Sequence, residues 1–140
     1  MTMQEQVQVY KDDLNLFDDK DSKLDYILDY SKEAIKLDAD KKTDENVVKG
    51  CSSLAWLYKE CKDGRISLEA EGDSIIAKGM LVVLLSVFND RTPDEILSFD
   101  PKLLMEMGVL ELLSPVRQQG MEAFLNVIYA YAKTCKEEKK

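Results

Sequence analysis

Between residues 79 and 88 the chain reads GMLVVLLSVF, ten residues without a charge. Together with the preceding SIIAK it predicts a helix over 74–88 that is apolar on nearly all sides, and such a helix must be buried on most of its faces. The run is too short to cross a bilayer, which takes about 20 apolar residues. The rest of the chain therefore has to wrap this helix. Asp73 or Ser74 is placed to cap its start, because either side chain can accept from the orphan amides of a first turn.

The stretch just before it has a different period. RISLEAEG, 65–72, alternates: Ile66, Leu68 and Ala70 point one way, and Arg65, Ser67, Glu69 and Glu71 the other. That is the pattern of a half-buried antiparallel strand. SLAWLYKEC, 53–61, is its aromatic and apolar partner, with Trp56 expected on the core face. Asp63-Gly64 between them tolerates the positive φ of a tight hairpin turn. NVVK, 46–49, predicts a third strand, with Gly50-Cys51 at the bend that follows.

Helical spacing accounts for most of the remainder. DSKLDYILDYSKEAIKL, 21–37, sets Leu24, Ile27, Leu28, Ala34 and Ile35 near one stripe with Ser22 as cap, and 5–17 sets Val7, Tyr10, Leu14 and Phe17 in register. Polar DADKKTDEN, 38–46, reads as a surface loop. TPDE, 92–95, is a capping-box start with Pro93 first in the helix. DPKLLMEMG, 100–108, repeats that logic, with Asp100 as cap and Gly108 as terminator. From Ser114-Pro115 a last helix carries Met121, Leu125, Ile128 and Ala132 on one stripe and ends in a Lys-rich tail that suits the negative end of its dipole. The expectation is a single α+β domain over 1–140, with a small three-stranded antiparallel sheet packed against helices. At 140 residues the core suffices without a metal or disulfide.

The chemistry is bounded by what is missing. With no histidine, neither a Cys-His nor a Ser-His couple can form within the chain. A net charge of -8 argues against nucleic acid, whose binding rests on Lys and Arg, and favours a partner protein with a basic surface. No Gly-rich phosphate loop is present. The N-terminus has no secretory pattern, so a cytoplasmic chain with free thiols is expected. Cys51, Cys61 and Cys135 lack C-x-x-C spacing, which predicts no metal site. Cys135 reads as a packing or surface residue, and Cys61, at the end of a strand beside the hairpin turn, as a structural one. A Cys51–Cys61 disulfide is disfavoured, since both lie on or next to one extended run.

Cys51 differs from the other two. Gly50 before it lets the backbone bend, Ser52 and Ser53 leave the sulfur approachable, and Lys49 favours the thiolate. From these residues alone a reactive thiol and an inert, packed one both stand open. Asp73 reads as a helix cap. Arg117, in the first turn of the last helix, reads either as half of an ion pair or as a partner contact.

The order of these motifs resembles the SufE family of sulfur acceptor proteins. Gly50-Cys51-Ser52-Ser53 followed by Trp56-Leu57 is similar to that family's glycine-cysteine and aromatic-apolar strand. LEAEGDS, Lys78-Gly79, RTPDEILSFD and LSPVRQQGMEAFL continue the likeness from about residue 20 onward. Ser52 stands where glutamine is common in the family, and Ala55 where valine is. The resemblance implies a SufE/IscU-like fold with Cys51 as a persulfide carrier, loaded by a SufS-like cysteine desulfurase and unloaded onto a SufBCD-like iron–sulfur scaffold. It implies a carrier that stimulates desulfurase turnover, rather than an independent enzyme, and that holds no cofactor of its own. Gly50, Ser53, Asp73 and Arg117 are then the residues that meet partners. The alternative is an acidic protein-interaction module with an inert cysteine; neither reading involves nucleic acid or membrane.

Overall fold

The computed structural model describes residues 1–49 and 54–138. The alternating segments form the hairpin β1 (Ala55–Lys62) and β2 (Arg65–Gly72), antiparallel, with Ala55 opposite Gly72, Leu57 opposite Ala70 and Cys61 opposite Ile66. Asp63 and Gly64 both take positive φ, 53° and 82°, the two-residue turn whose twist matches that of the strands. Ala55, Leu57, Ile66, Leu68 and Ala70 face the core and are buried.

The expected third strand does not form among the described residues, and the sheet has two strands. Asp44–Asn46 winds into a 3-10 turn, so the extended piece after it makes only a single bridge, Val47 to Trp56. Trp56 also departs from expectation. It pairs with Glu71 and so shares the outer face of the hairpin with Tyr58 and Glu69. Period two decides this, because Trp56 has the opposite parity to buried Leu57.

That outer face is crossed by the segment 37–48, which holds a further 3-10 turn, Ala39–Lys41. Two lysines pin it down. Lys41 Nζ lies 2.8 Å from Glu69 Oε2 and 4.5 Å from the centre of the Tyr58 ring. Lys42 Nζ lies 2.6 Å from Glu71 Oε2 and 5.0 Å from the centre of the Trp56 ring. Glu71 also accepts the Leu37 amide at 2.8 Å, so one carboxylate holds the strap at two points.

On the inner face lies the apolar helix, α3 (Ile75–Phe88), capped by Ser74, whose hydroxyl accepts from the Ala77 amide at 3.2 Å. Met80, Leu81, Val83, Leu84, Val87 and Phe88 are all buried. Helices α1 (Met3–Leu14) and α2 (Lys20–Asp29) cover its far side. Tyr10 donates to Ser86 Oγ, which donates in turn to the Val83 carbonyl at 2.6 Å. Gly79 lets α2 approach closely, because a Cβ there would meet the Ile27 carbonyl oxygen at 2.5 Å. Both early helices end sooner than their periodicity suggests. α2 starts from an Asp19 cap rather than Ser22 and passes into a 3-10 turn, Tyr30–Glu33. Ala34 is already extended, which sends the chain across the hairpin and leaves Ile35 exposed.

The C-terminal helices begin close to where their prolines place them. α4 (Pro93–Ser98) has the complete Thr92–Glu95 capping box. α5 (Lys102–Glu106) is short, and Gly108 beyond it takes φ +92°. α6 (Pro115–Glu138) packs on α4 and buries Ile128, Ala132 and Cys135 completely. Among the described residues, no helix is long and apolar enough to cross a membrane.

The expectation of free thiols fails at two positions. Cys61 and Cys135 are joined in a disulfide, with Cα atoms 6.0 Å apart and 74 positions between them in sequence. Each periodicity aims its own cysteine: Cys61 continues the core-facing row of Ala55 and Leu57, and Cys135 extends the stripe of Ile128 and Ala132. That the two rows meet is a fact of packing, which sequence separation conceals. The bond also removes the Cys51–Cys61 pair from consideration in this state.

Candidate functional site

Gly50, Cys51 and Ser53 lie outside the described residues; the ends of the connection that carries them are well defined. Val48 donates its amide to the Ala55 carbonyl at 3.0 Å, so the chain that leaves at Val48 returns beside itself at the start of β1. On the return side, the Leu54 amide donates to Asp73 Oδ2 at 3.3 Å. Asp73 is therefore not the helix cap, a role taken by Ser74 next to it. Its carboxylate instead ties the exit of the connection to the β2–α3 junction.

Beside these anchors is a small cavity of about 40 Å³ where β1, α3 and α6 converge, lined by Ala55, Ala77, Met80, Leu113, Val116, Gly120 and Phe124 among others. This exceeds the ~10–15 Å³ that a single water-sized guest requires. Arg117, in the first turn of α6, is the sole ionisable group among the described lining residues. Its amide donates to Ser114 Oγ at 3.3 Å, the contact that starts the helix. Three large apolar side chains stand out around this end of the molecule: Leu54 is 51% exposed, Ile75 64% and Val116 49%. Each sits at the beginning of an element, where a polar residue costs nothing, so their exposure leaves an apolar rim.

The structure thus brings Asp73 and the entry to β1 together by a hydrogen bond, and it puts Arg117 on the wall of the neighbouring cavity. The sequence reading missed the other wall residues, Ala55, Ala77, Met80 and Phe124, because each looks like ordinary core on its own element. A signal was present in Ile75 and Val116, apolar residues in first-turn positions.

Electrostatics near the site is concentrated in the strap that precedes it. The Lys42 ammonium holds the Glu71 carboxyl below the usual carboxylate range, with help from the Leu37 amide and against the effect of burial. On the inner face of β1, burial lowers Lys59, whose ammonium donates to the Leu57 carbonyl at 3.2 Å. Two further groups are perturbed away from the site. Burial, then the hydrogen bond to Asp13, raises Tyr26, and burial pushes Tyr129 up to about 12. Among the described residues, no group of three or more Cys, Asp or Glu side chains is placed to hold a metal ion. The described part of the site offers shelter, anchorage and an apolar surface.

The family described as SufE, Fe-S metabolism associated domain, matches residues 8–132. The solution structure of a hypothetical protein from Thermus thermophilus superposes with a TM-score of 0.76 at 16% identity, over 98% of this chain and 99% of that one. That likeness concerns the fold.

Proposed function

The chain belongs to the SufE family, associated with Fe–S metabolism, and on that premise we propose that it is a sulfur acceptor whose Cys51 takes persulfide sulfur from a cysteine desulfurase. What supports this reading is the tethering of the two described flanks of Cys51, Val48 to Ala55 and Leu54 to Asp73, with Ala55 lining an apolar cavity. A carrier thiol needs to reach a donor's active site and then protect what it has received, and this setting serves both needs.

In the transfer, the Cys51 thiolate attacks the outer sulfur of the donor persulfide. A new S–S bond forms on Cys51, the donor's S–S bond breaks, and its electron pair leaves on the donor cysteine, which takes a proton. This is thiol–disulfide exchange applied to a persulfide. The chain supplies no histidine for proton movement, so acid and base groups come from the donor. The cavity wall of Ala55, Met80, Val116 and Phe124 keeps water and stray thiols from a loaded sulfur, which otherwise would oxidise or exchange. Leu54, Ile75 and Val116 give the donor an apolar patch to cover, with Arg117 beside it on the cavity wall. Delivery to an iron–sulfur scaffold of the SufBCD kind follows by a second exchange in which Cys51 is the leaving thiolate.

The test is peptide mass spectrometry after incubation with a desulfurase, pyridoxal phosphate and cysteine. One added sulfur on the Cys51 peptide, lost in Cys51→Ser, is expected. If the cognate desulfurase leaves that peptide unmodified, the carrier reading is wrong and the protein is an interaction module.

A further inference from the structure

The Cys61–Cys135 bond lies at the far end of β1 from Ala55 and toward the far end of α6 from Arg117. Six residues of extended strand, roughly 20 Å, separate Ala55 from Cys61 on β1. Eighteen residues of helix, roughly 27 Å, separate Arg117 from Cys135 on α6. The two sulfurs are not equally placed. Cys135 is fully buried, whereas Cys61 is half-buried beside the hairpin turn, next to exposed Lys62 and Asp63.

Most of α6 is held without this bond. Ile128 and Ala132 are fully buried, Tyr129 donates to the Phe99 carbonyl at 2.9 Å, and its ring packs edge-on against Phe88 at 5.9 Å. Beyond Ala132, among the described residues, what holds the helix is Cys135 itself and an ion pair between Lys136 and Asp94 at 2.7 Å, whose side chains are 53% and 73% exposed. An exposed pair of that kind contributes little.

We propose that Cys61–Cys135 is a reversible redox site, opened by a dithiol protein reductant that attacks at Cys61, and that opening it releases the last turns of α6 from β1 while the rest of the domain stays folded. The reductant's thiolate bonds to Cys61 Sγ, the Cys61–Cys135 bond breaks, and the electron pair leaves on Cys135, which is then protonated. The reductant's second thiolate attacks its own sulfur in the mixed disulfide and releases Cys61, so the reductant departs as a disulfide. A disulfide oxidant closes the site by the same exchange in reverse. Attack at Cys61 follows from access, since the other sulfur lies within the core. The inference stands apart from the sulfur-acceptor reading, because neither cysteine nor its surroundings takes part in that transfer.

The test uses the full-length protein and a thioredoxin-type reductant whose resolving cysteine is replaced by serine, which traps the mixed disulfide. Peptide mapping is expected to find the adduct on Cys61. Hydrogen exchange of the wild type in dithiothreitol is expected to speed up at least about tenfold over 133–138 and less than about twofold over 116–128, with a Tm lower by on the order of 10 °C. The double variant Cys61→Ser/Cys135→Ser should match the reduced protein with or without dithiothreitol. An adduct on Cys135, no adduct in native buffer, unchanged exchange over 133–138, or exchange rising throughout the chain would each overturn the proposal. Reduced wild type gives the exchange result even if the double variant fails to fold.

Discussion

Asp73 Oδ2 accepts the backbone amide of Leu54 at 3.3 Å. A carboxylate at the β2–α3 junction thereby fixes the point where the chain comes back from Cys51, nineteen positions earlier than the acceptor itself. The acid is exposed and makes no cap, so its value lies in where it puts the loop's exit.

Asp73→Ala should therefore weaken sulfur acceptance more than folding. Misplacing a reacting group by an ångström can cost far more in rate than the lost contact costs in stability. We expect transfer to Cys51 to slow about tenfold, with Tm within about 3 °C of the wild type. Asp73→Asn keeps an acceptor oxygen and should restore most of the rate. Single-turnover transfer from a persulfide-loaded desulfurase, with a parallel thermal melt, separates the two effects; equal rates for wild type and Asp73→Ala would remove the anchor from the account.

The strap offers a built-in reporter, since Trp56 is the only tryptophan and Lys42 lies over its ring. The Glu71 carboxyl is held below its ordinary 4.5 by Lys42 first and by the Leu37 amide. A depressed carboxyl pKa contributes stability above the unfolded-state value, and that contribution is lost as pH falls through the folded-state value. Trp56 emission should stay constant from pH 8 down to the ordinary carboxyl value of 4.5 and shift only below it. Glu71→Gln should give the shifted emission at every pH. A wild-type transition centred near pH 6 would contradict the assignment to Glu71.

Lys59 sits on the inner face of β1, where burial lowers its pKa. The folded state then binds fewer protons than the unfolded state between the lowered value and the ordinary 10.5, so stability rises with pH through that window. Lys59→Met keeps the stem and removes the desolvated charge. It should stabilise the fold by no more than about 1 kcal/mol at pH 7, because the half-buried ammonium keeps part of its solvent, and flatten the rise toward pH 10. Urea unfolding at pH 7 and 9.5 reads both, and a less stable Lys59→Met would show that the ammonium is better accommodated than its burial suggests.

Gly79→Ala should be costly although alanine is the better helix former. Its Cβ would lie 2.5 Å from the Ile27 carbonyl oxygen and 3.3 Å from the carbonyl carbon, and backbone atoms cannot rotate away as a side chain can. A loss of about 2–4 kcal/mol is expected, against a gain of about 1 kcal/mol from propensity alone. Denaturant titration decides between them; a neutral or stabilising result would mean that α2 can slide along α3.

How far the sequence led can be followed through single residues. Gly64 and Asp63 announced the hairpin turn, Thr92 and Glu95 the α4 cap, and Gly108 the end of α5, because these signals act within a few residues of themselves. Signals that compete across a distance were weaker guides. Val47 and Val48 have strand propensity, but the 3-10 turn at Asp44–Asn46 left too little extended chain for a third strand. Ile35 fits a helical stripe, yet the chain turns away at Ala34 to reach Glu71 through the Leu37 amide.

By itself the sequence determined that a fully apolar helix would need covering on all sides, that an alternating hairpin would cover one of them, and that a thiol follows a glycine just before that hairpin. These are properties of period and of local backbone freedom, and a neighbour many residues away does not alter them. Only the tertiary structure decided that Asp73 would hold Leu54 instead of capping α3, that Trp56 would face the strap, that Ala55, Met80, Val116 and Phe124 would enclose one cavity, and that Cys61 would meet Cys135 across 74 positions. Each of those depends on how two elements pack. Periodicity says which face of an element is buried, whereas the partner of that face is chosen by the shape of the whole core.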